Sequence, residues 1–459
     1  MTFRNQLFSA AAVCMLAVSG IAQQTTADGI RAENAVNRPE RPYRPAGSSD
    51  PRAAGPHIAK GFGKRDRRLV YVTLPGGSAG GQFSSEQNGV GIVVLDVDRN
   101  FEFVKRIPTW NVAASISPEE VSGVAASGAT NMIYLATRGR LAAFDLGTDQ
   151  KVWEQTYDGS CCERPEVTPD GKTLVVGSDL KDFWYVINAQ DGALKGKIQA
   201  PKSNFAHNMG LSADGKTVFM APNGVTMTVG DVPSMKALKT ITFSDHIRPF
   251  VINHDATRVY ANVNNLLGFE IADVKTGEVV KRIEAPAELW KAKWADVTQH
   301  FYGHACPSHG IALTPDGKEV WIADALFHKI HIFSNTDTPK EIATIETPDD
   351  SYWIMFGIDG KLVYSSSGDI IDVATRKIVG TTKSEWGTKM FSEKELDMTF
   401  IDGRLQRVAN QFGNEYGDFV TAEKLGVGPH MPVIQEPAYP IATSTGEDPN
   451  HGMKQASAQ

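Results

Sequence analysis

The chain has 459 residues, with 46 basic and 53 acidic side chains and a formal net charge of -7 at pH 7. This length fits either two or three ordinary domains or one large all-β domain. The charges are spread along the chain and form no basic stripe that could follow a phosphate backbone, which argues against nucleic acid as a partner.

The N-terminus has the pattern of a secretory signal peptide. Arg4 supplies a positive start, and residues 7–21 form an apolar run that ends in small residues. The run is shorter than the roughly 18 to 20 apolar residues of a membrane span. We therefore predict a signal peptide over 1–22, a flexible leader over 23–66, and a periplasmic or secreted protein with no membrane insertion after cleavage.

One hairpin pattern recurs within 67–425 and is missing from the tail, 426–459, which we predict to be flexible. A short apolar strand is followed by a turn such as Thr-Pro-Asp-Gly-Lys and by a second apolar strand. The Asp-Gly pair permits the positive backbone dihedral of a tight turn, and the flanking Val, Ile, Tyr and Trp favour strands. The copies begin at Val124, Glu166, Gly210, Val251, Ile311 and Met355.

The first turn position of each copy gives a register mark. The marks are Ser127, Thr168, Ser212, Asn253, Thr314 and Gly357, spaced by 41, 44, 41, 61 and 43 residues. This spacing is typical of four-stranded propeller blades. The long step contains an insertion at 285–305, and a seventh inner strand leads to Phe400. We predict an all-β, seven-bladed β-propeller, closed by pairing of N- and C-terminal strands in one blade so that no sheet edge stays open.

Several segments carry a family resemblance. SHGIALTPDGKEVWIAD, VINAQDG and IADVKTGEVV resemble the YVTN family of bacterial β-propeller repeats and the related lactonase-like propellers. The resemblance covers most of 69–415 and implies the propeller fold. It transfers no functional residue, because propellers support unrelated activities on one frame.

The start of each inner strand is predicted to face the central channel, so residues five positions before the marks occupy equivalent places. All seven are polar or ionisable, although a strand-rich sequence would place several aliphatic residues there. They are Ser122, Glu163, His207, Arg248, His309, Tyr352 and Glu395. Their neighbours add Arg164, Asn208, His246, Trp353 and Lys394.

We predict that this ring binds an anionic or polyhydroxylated ligand, because Arg can hold a carboxylate, His can exchange a proton and Tyr can donate one. The catalytic candidates are His207, His309, Tyr352, Arg164 and Arg248. The ligand-binding candidates are Ser122, Glu163, Asn208, His246, His304, Trp353, Lys394 and Glu395. The alternative is that polar residues merely line a water-filled channel and satisfy one another.

The preferred reaction is β-elimination from a uronic-acid glycan, in which Arg neutralises the carboxylate and His or Tyr transfers protons. Propeller-fold polysaccharide lyases are similar in using these residue types. The lactonase-like resemblance implies hydrolysis of a sugar lactone instead. Two further alternatives are a non-catalytic scaffold for protein or cell-envelope partners and a redox subunit. We expect a monomer with a small-molecule or glycan ligand and no cofactor.

Three cysteines remain after signal removal: Cys161, Cys162 and Cys306. Cys306 lies three blades from the adjacent pair, too far for a bridge, so a vicinal disulfide with Cys306 free is favoured. No standard zinc spacing occurs, and no metal is predicted. The insertion 285–305 is predicted to be a polar surface loop, whose aromatic residues stack on sugar rings or cap the rim.

Overall fold

The computed structural model describes the following residues: 57–58, 66–76, 88–110, 120–158, 161–178, 181–200, 206–222, 224–287, 290–297, 306–410 and 415–416. Over these ranges β-strands dominate, which confirms the predicted all-β class. No helix within them is both long enough and apolar enough to cross a membrane.

Four strands come first in the chain. They are β1 (His57–Ile58), β2 (Arg67–Leu74), β3 (Gly91–Asp96) and β4 (Glu102–Ile107). Strand β1 lies inside the predicted flexible leader, yet it pairs with the edge strand β4. The leader prediction is therefore corrected at these two residues, where backbone pairing with β4 fixes a segment that has no strand pattern of its own.

Six four-stranded antiparallel meanders follow in the described part of the chain. The first meander consists of β5 (Val121–Ser127), β6 (Met132–Thr137), β7 (Leu141–Asp145) and β8 (Lys151–Gln155). The second consists of β9 (Glu163–Val167), β10 (Thr173–Gly177), β11 (Phe183–Asn188) and β12 (Leu194–Gln199). The third consists of β13 (Ala206–Leu211), β14 (Thr217–Pro222), β15 (Thr226–Asp231) and β16 (Lys236–Thr242). The fourth meander consists of β17 (Ile247–Ile252), β18 (Arg258–Val263), β19 (Gly268–Asp273) and β20 (Glu278–Glu284). The fifth consists of β21 (Ser308–Leu313), β22 (Glu319–Asp324), β23 (Lys329–Ser334) and β24 (Glu341–Glu346). The sixth consists of β25 (Ile354–Phe356), β26 (Leu362–Ser365), β27 (Asp369–Asp372) and β28 (Lys377–Thr381). A single parallel bridge joins β16 to β20 and makes the third and fourth meanders one eight-stranded sheet.

Side-chain bonds in the turns explain why the hairpins form. Thr168 Oγ1 donates to Asp170 Oδ1 at 2.6 Å and accepts from the backbone N–H of Thr173 at 3.1 Å. The next residue after Asp170 is Gly171, whose φ of 68° suits glycine. The same two side-chain bonds recur in the turns that begin at Ser212 and Thr314. The predicted hairpins are confirmed at these turns.

The last strands are β29 (Glu395–Ile401), β30 (Arg404–Ala409) and β31 (Glu415–Tyr416). They share one antiparallel sheet with the first four strands, in the order β1-β4-β3-β2-β29-β30-β31. Asp397 on β29 accepts from Arg68 Nε at 3.0 Å, and from Tyr364 Oη of the sixth meander at 3.1 Å. One buried carboxylate therefore joins the N-terminal strand β2, the C-terminal strand β29 and a neighbouring meander.

The insertion departs from the prediction. Residues Trp290–Val297 form helix α1 rather than a polar loop. Trp290 and Trp294 are buried in an apolar cluster with Phe269 and their neighbours, so they pack against the protein and are not exposed for sugar stacking. The remainder of the insertion, 298–305, lies outside the described residues, and the candidate His304 lies there.

Candidate functional site

Irregular strand pairing positions the predicted ring. The pairing of β5 with β6 skips Ser122, and the pairing of β13 with β14 skips His207. Register shifts in the second, fourth and fifth meanders likewise enclose Arg164, Arg248 and His309. A bulge releases a residue from the ladder and redirects its side chain. Four of the seven predicted residues, Ser122, His207, Arg248 and His309, therefore occur where the inner strands leave regular pairing. Glu163 and Glu395 are instead paired, with Gly177 and Val72, and Tyr352 precedes β25.

A buried charge cluster lies at these strand starts. Glu393 Oε2 accepts from Arg164 Nη2 at 2.9 Å and from Lys394 Nζ at 2.8 Å. The guanidinium carbon of Arg164 lies 3.9 Å from the ring centroid of Trp353, a cation–π contact. Burial raises the pKa of Glu393, but Lys394 and Arg164 outweigh burial and hold it well below its usual range. Glu393 is thus a carboxylate between two cations.

Glu163 and His207 form a second contact, with His207 Nδ1 3.5 Å from Glu163 Oε1. Burial is the largest influence on His207 and lowers its pKa. Burial also opposes a charge on Glu163, but the bond to His207 and the positive charge of Arg164 outweigh it and lower the pKa of Glu163. We name Glu163, Arg164, His207, Trp353, Glu393 and Lys394 the rim cluster.

His309 lies beside Tyr352. His309 Nδ1 is 3.1 Å from the backbone oxygen of Tyr352, and the two rings meet edge to face at 6.3 Å between centroids. A carbonyl oxygen only accepts, so Nδ1 carries the proton. Burial lowers the pKa of His309 to about 4, and its imidazole is therefore neutral at pH 7.

Other predicted residues have different surroundings. Arg248 Nε donates to Asn264 Oδ1 at 2.6 Å, and the positive charge of Arg248 contributes to lowering the pKa of His309. Ser122 donates to the backbone oxygen of Cys162 at 2.5 Å, a bond between neighbouring meanders. The side chain of His246 is 44% exposed and contacts Asp245. Arg248 therefore acts electrostatically near the site, whereas the hydroxyl of Ser122 holds the backbone.

Several buried polar atoms have no hydrogen-bond partner within the described part of the chain. They include Nε and Nη1 of Arg164, both terminal atoms of Asn208 and Oε1 of Glu395. An unmade buried bond costs about 1–3 kcal/mol, so such atoms call for an explanation. Burial raises the pKa of Glu395 well above its usual range, so that side chain is an uncharged acid. Arg164 and Asn208 offer donors to a ligand.

Two acidic residues were missed by the sequence analysis. Register analysis selected Glu395, whereas Glu393, two residues earlier, holds the cations. Glu166 on β9 accepts from the backbone N–H of Leu211 at 2.5 Å and from Asn410 Nδ2 at 2.6 Å. Burial raises the pKa of Glu166 to about 8. The alternating charges around Glu393 were the sequence signal that could have identified it. No sequence signal indicates the contact of Glu166 with Asn410, which lies 244 positions away.

The cysteines follow the favoured assignment. Cys161 and Cys162 form a buried vicinal disulfide directly before Glu163, and Cys306 is free and buried. Burial raises the pKa of Cys306 to about 12, which keeps its thiol protonated. Among the described residues, no group of three or more His, Cys, Asp or Glu side chains could hold a metal ion.

No model of a protein family matches the chain, and no curated protein matches it. The YVTN resemblance stays a prediction, and the chemistry has to be argued from the site itself.

Replacement of Glu393 tests how strongly the cluster depends on it. We expect Glu393→Gln to lower the free energy of unfolding by about 3–5 kcal/mol, because two cations lose their shared carboxylate in a buried setting. Urea denaturation measures this loss. Glu346→Gln is the matched control, since Glu346 is 72% exposed in its pair with Lys329 and should lose about 1 kcal/mol or less. Equal losses for the two variants would contradict the role of Glu393.

Glu166 predicts a pH dependence of stability. Because its pKa is raised, Glu166 binds a proton more tightly in the folded state than in the unfolded state. The stabilisation of the fold by protonated Glu166 is therefore complete below about pH 4 and is lost as the pH rises through about 8. Glutamine does not titrate. The free energy of unfolding of the wild type, relative to that of Glu166→Gln, should therefore decrease as the pH rises from 4 to 9. Denaturation across this range measures the difference, and a pH-independent difference would refute the assignment.

Proposed function

We propose that this protein binds an anionic small molecule or glycan, such as a sugar acid, at the rim cluster. The observation that carries the proposal is Arg164, a buried guanidinium whose Nε and Nη1 have no partner in the described part of the chain. A carboxylate oxygen would satisfy these donors with charge-assisted hydrogen bonds. The unpartnered carboxamide of Asn208, beside His207, adds a donor and an acceptor suited to a sugar hydroxyl.

The charge balance supports an anionic ligand. Three cations, Arg164, Arg248 and Lys394, are buried here with the two ionised carboxylates Glu163 and Glu393. Both histidines have lowered pKa values and add no positive charge at neutral pH. An anion would give Arg164 a carboxylate partner that it does not share with Lys394. The side chain of His207 is 17% exposed and that of its partner Glu163 is 9% exposed, so a ligand would approach from the side of His207.

The proposal extends to the fold. Six meanders in the described residues, together with an antiparallel sheet that unites β2–β4 with β29, support a seven-bladed propeller closed in one blade by its two chain ends. Its strand starts would then surround a central channel, with the rim cluster at the channel mouth. The N-terminal pattern supports export to the periplasm or the exterior, and the repeat segments support YVTN-family kinship.

The preferred reaction is β-elimination from a uronic-acid glycan. Arg164 would bind the carboxylate and stabilise the charge that develops when the neighbouring carbon loses its proton. A neutral imidazole, His309 or His207, would take that proton. The electron pair left on the carbon would form the carbon–carbon double bond as the bond to the leaving oxygen breaks. Tyr352 would donate a proton to that oxygen. The neutral state of His309 favours elimination over a purely binding role. Lactone hydrolysis and a non-catalytic scaffold are the alternatives.

Binding is tested with Arg164→Lys, which keeps the charge and loses the planar set of donors. We expect its affinity for glucuronate or galacturonate to fall by about tenfold or more in calorimetry, equivalent to roughly 1.4 kcal/mol. Arg258→Lys, in a surface pair with Asp273, is the matched control and should bind as wild type does. Glucose should bind far more weakly than glucuronate. Equal binding of the two sugars would refute anion recognition, and binding of neither would favour the scaffold.

Elimination is tested by incubating the protein with a panel of uronic-acid polysaccharides and following the ultraviolet absorbance of the unsaturated product. His309→Ala should slow the reaction by about 10²–10⁴-fold, the usual contribution of a general base. His254→Ala, in a turn at the other end of an inner strand, is the control and should retain the rate. Absence of product from every polysaccharide would rule out the lyase while leaving ligand binding to the calorimetric test.

A further inference from the structure

Lys394 is an unusual lysine because it is buried and its backbone is fixed. The residue directly precedes β29 and is 2% exposed. Its backbone oxygen accepts from both the N–H and the hydroxyl of Thr73, at 3.1 and 2.9 Å. Its Nζ lies 2.8 Å from Glu393 Oε2 and 5.7 Å from the ring centroid of Trp353. The amine is therefore held at one place in the rim cluster.

The neighbours of Lys394 make its protonated form costly. Its Nζ shares a single acceptor oxygen with Arg164 Nη2, so two cations lie within 2.9 Å of the same atom. The charged and titratable groups that act on Lys394 are Arg164, Glu393, Glu163 and Glu120. Burial, followed by the charge of Arg164, lowers the pKa of Lys394 in spite of the carboxylates of Glu393 and Glu163. A desolvated lysine beside another cation is the setting in which proteins use lysine as a nucleophile.

We infer that Lys394 is a reactive amine that forms an imine with a carbonyl-bearing ligand bound in the rim cluster. The step starts when Nζ gives up a proton to solvent. The nitrogen lone pair then attacks the carbonyl carbon as the carbon–oxygen π bond breaks, and a proton moves from the nitrogen to the oxygen to give a carbinolamine. Loss of the hydroxyl with one proton as water leaves the imine. No oxidant, reductant or metal is required.

The ligand class follows from the two groups that would hold it. This inference rests on the proposed anion site, since Arg164 would bind the carboxylate while Lys394 meets the carbonyl. The two side chains converge on one oxygen of Glu393, so the carboxylate and the carbonyl must be close together in the ligand. A 2-oxo acid meets this condition, and a short sugar acid in its open-chain carbonyl form does so as well.

The test is reductive trapping with the full chain. The protein is incubated at neutral pH with pyruvate and cyanoborohydride, and digested peptides are quantified by mass spectrometry. We expect the reduced adduct on Lys394 to form about tenfold faster than on Lys318, a side chain that is 79% exposed and serves as the internal control. Excess lactate, which has the carboxylate but no carbonyl, should slow the labelling of Lys394 only. Labelling of Lys318 as fast as Lys394 overturns the inference.

Parallel probes separate this inference from the proposed function. Binding of lactate in calorimetry without an adduct on Lys394 overturns the imine and leaves the anion site standing. Preferential labelling of Lys394 by propanal, which has no carboxylate, without any binding of lactate supports the reactive amine and counts against the anion site. Absence of both binding and labelling overturns both proposals.

Discussion

The Glu393 carboxylate is the constraint on which the candidate site depends. It is the acceptor for two buried cations, and one of those cations lies over the face of Trp353. Removing a charge from water is costly, and a buried group of this kind persists only when its partners are well placed. Glu393 therefore fixes Arg164 and Lys394 in position while leaving Nε and Nη1 of Arg164 available as donors.

The all-β class and the hairpins were predictable because the turns depend on local chemistry. A hydroxyl residue, an Asp two positions later and a Gly together specify the turn, and each partner lies within five residues. Helix α1 and strand β1 were not predictable in this way. The helix has only eight residues and is stabilised by burial of Trp290 and Trp294 against distant strands, while β1 has two residues and is defined only by pairing with β4.

The site was predictable in its residue types and less so in its contacts. Equal spacing from the turns selected polar residues at the strand starts, because the repeat fixes how far each inner strand extends. It could not distinguish Glu393 from Glu395, since Glu393 precedes β29 and lies outside the alternation of that strand. It also could not pair Glu166 with Asn410, because that contact depends on where the last strand lies relative to the second meander.

The bulges at the inner strands have a consequence for how such a protein can diversify. A residue that a ladder skips, such as His207, lies outside the regular pairing of its sheet. Its side chain can be exchanged without disturbing the register that the turns impose on the rest of the meander. Single substitutions at such positions could therefore change the polar side chains at the strand starts one meander at a time, without altering the strand pairing.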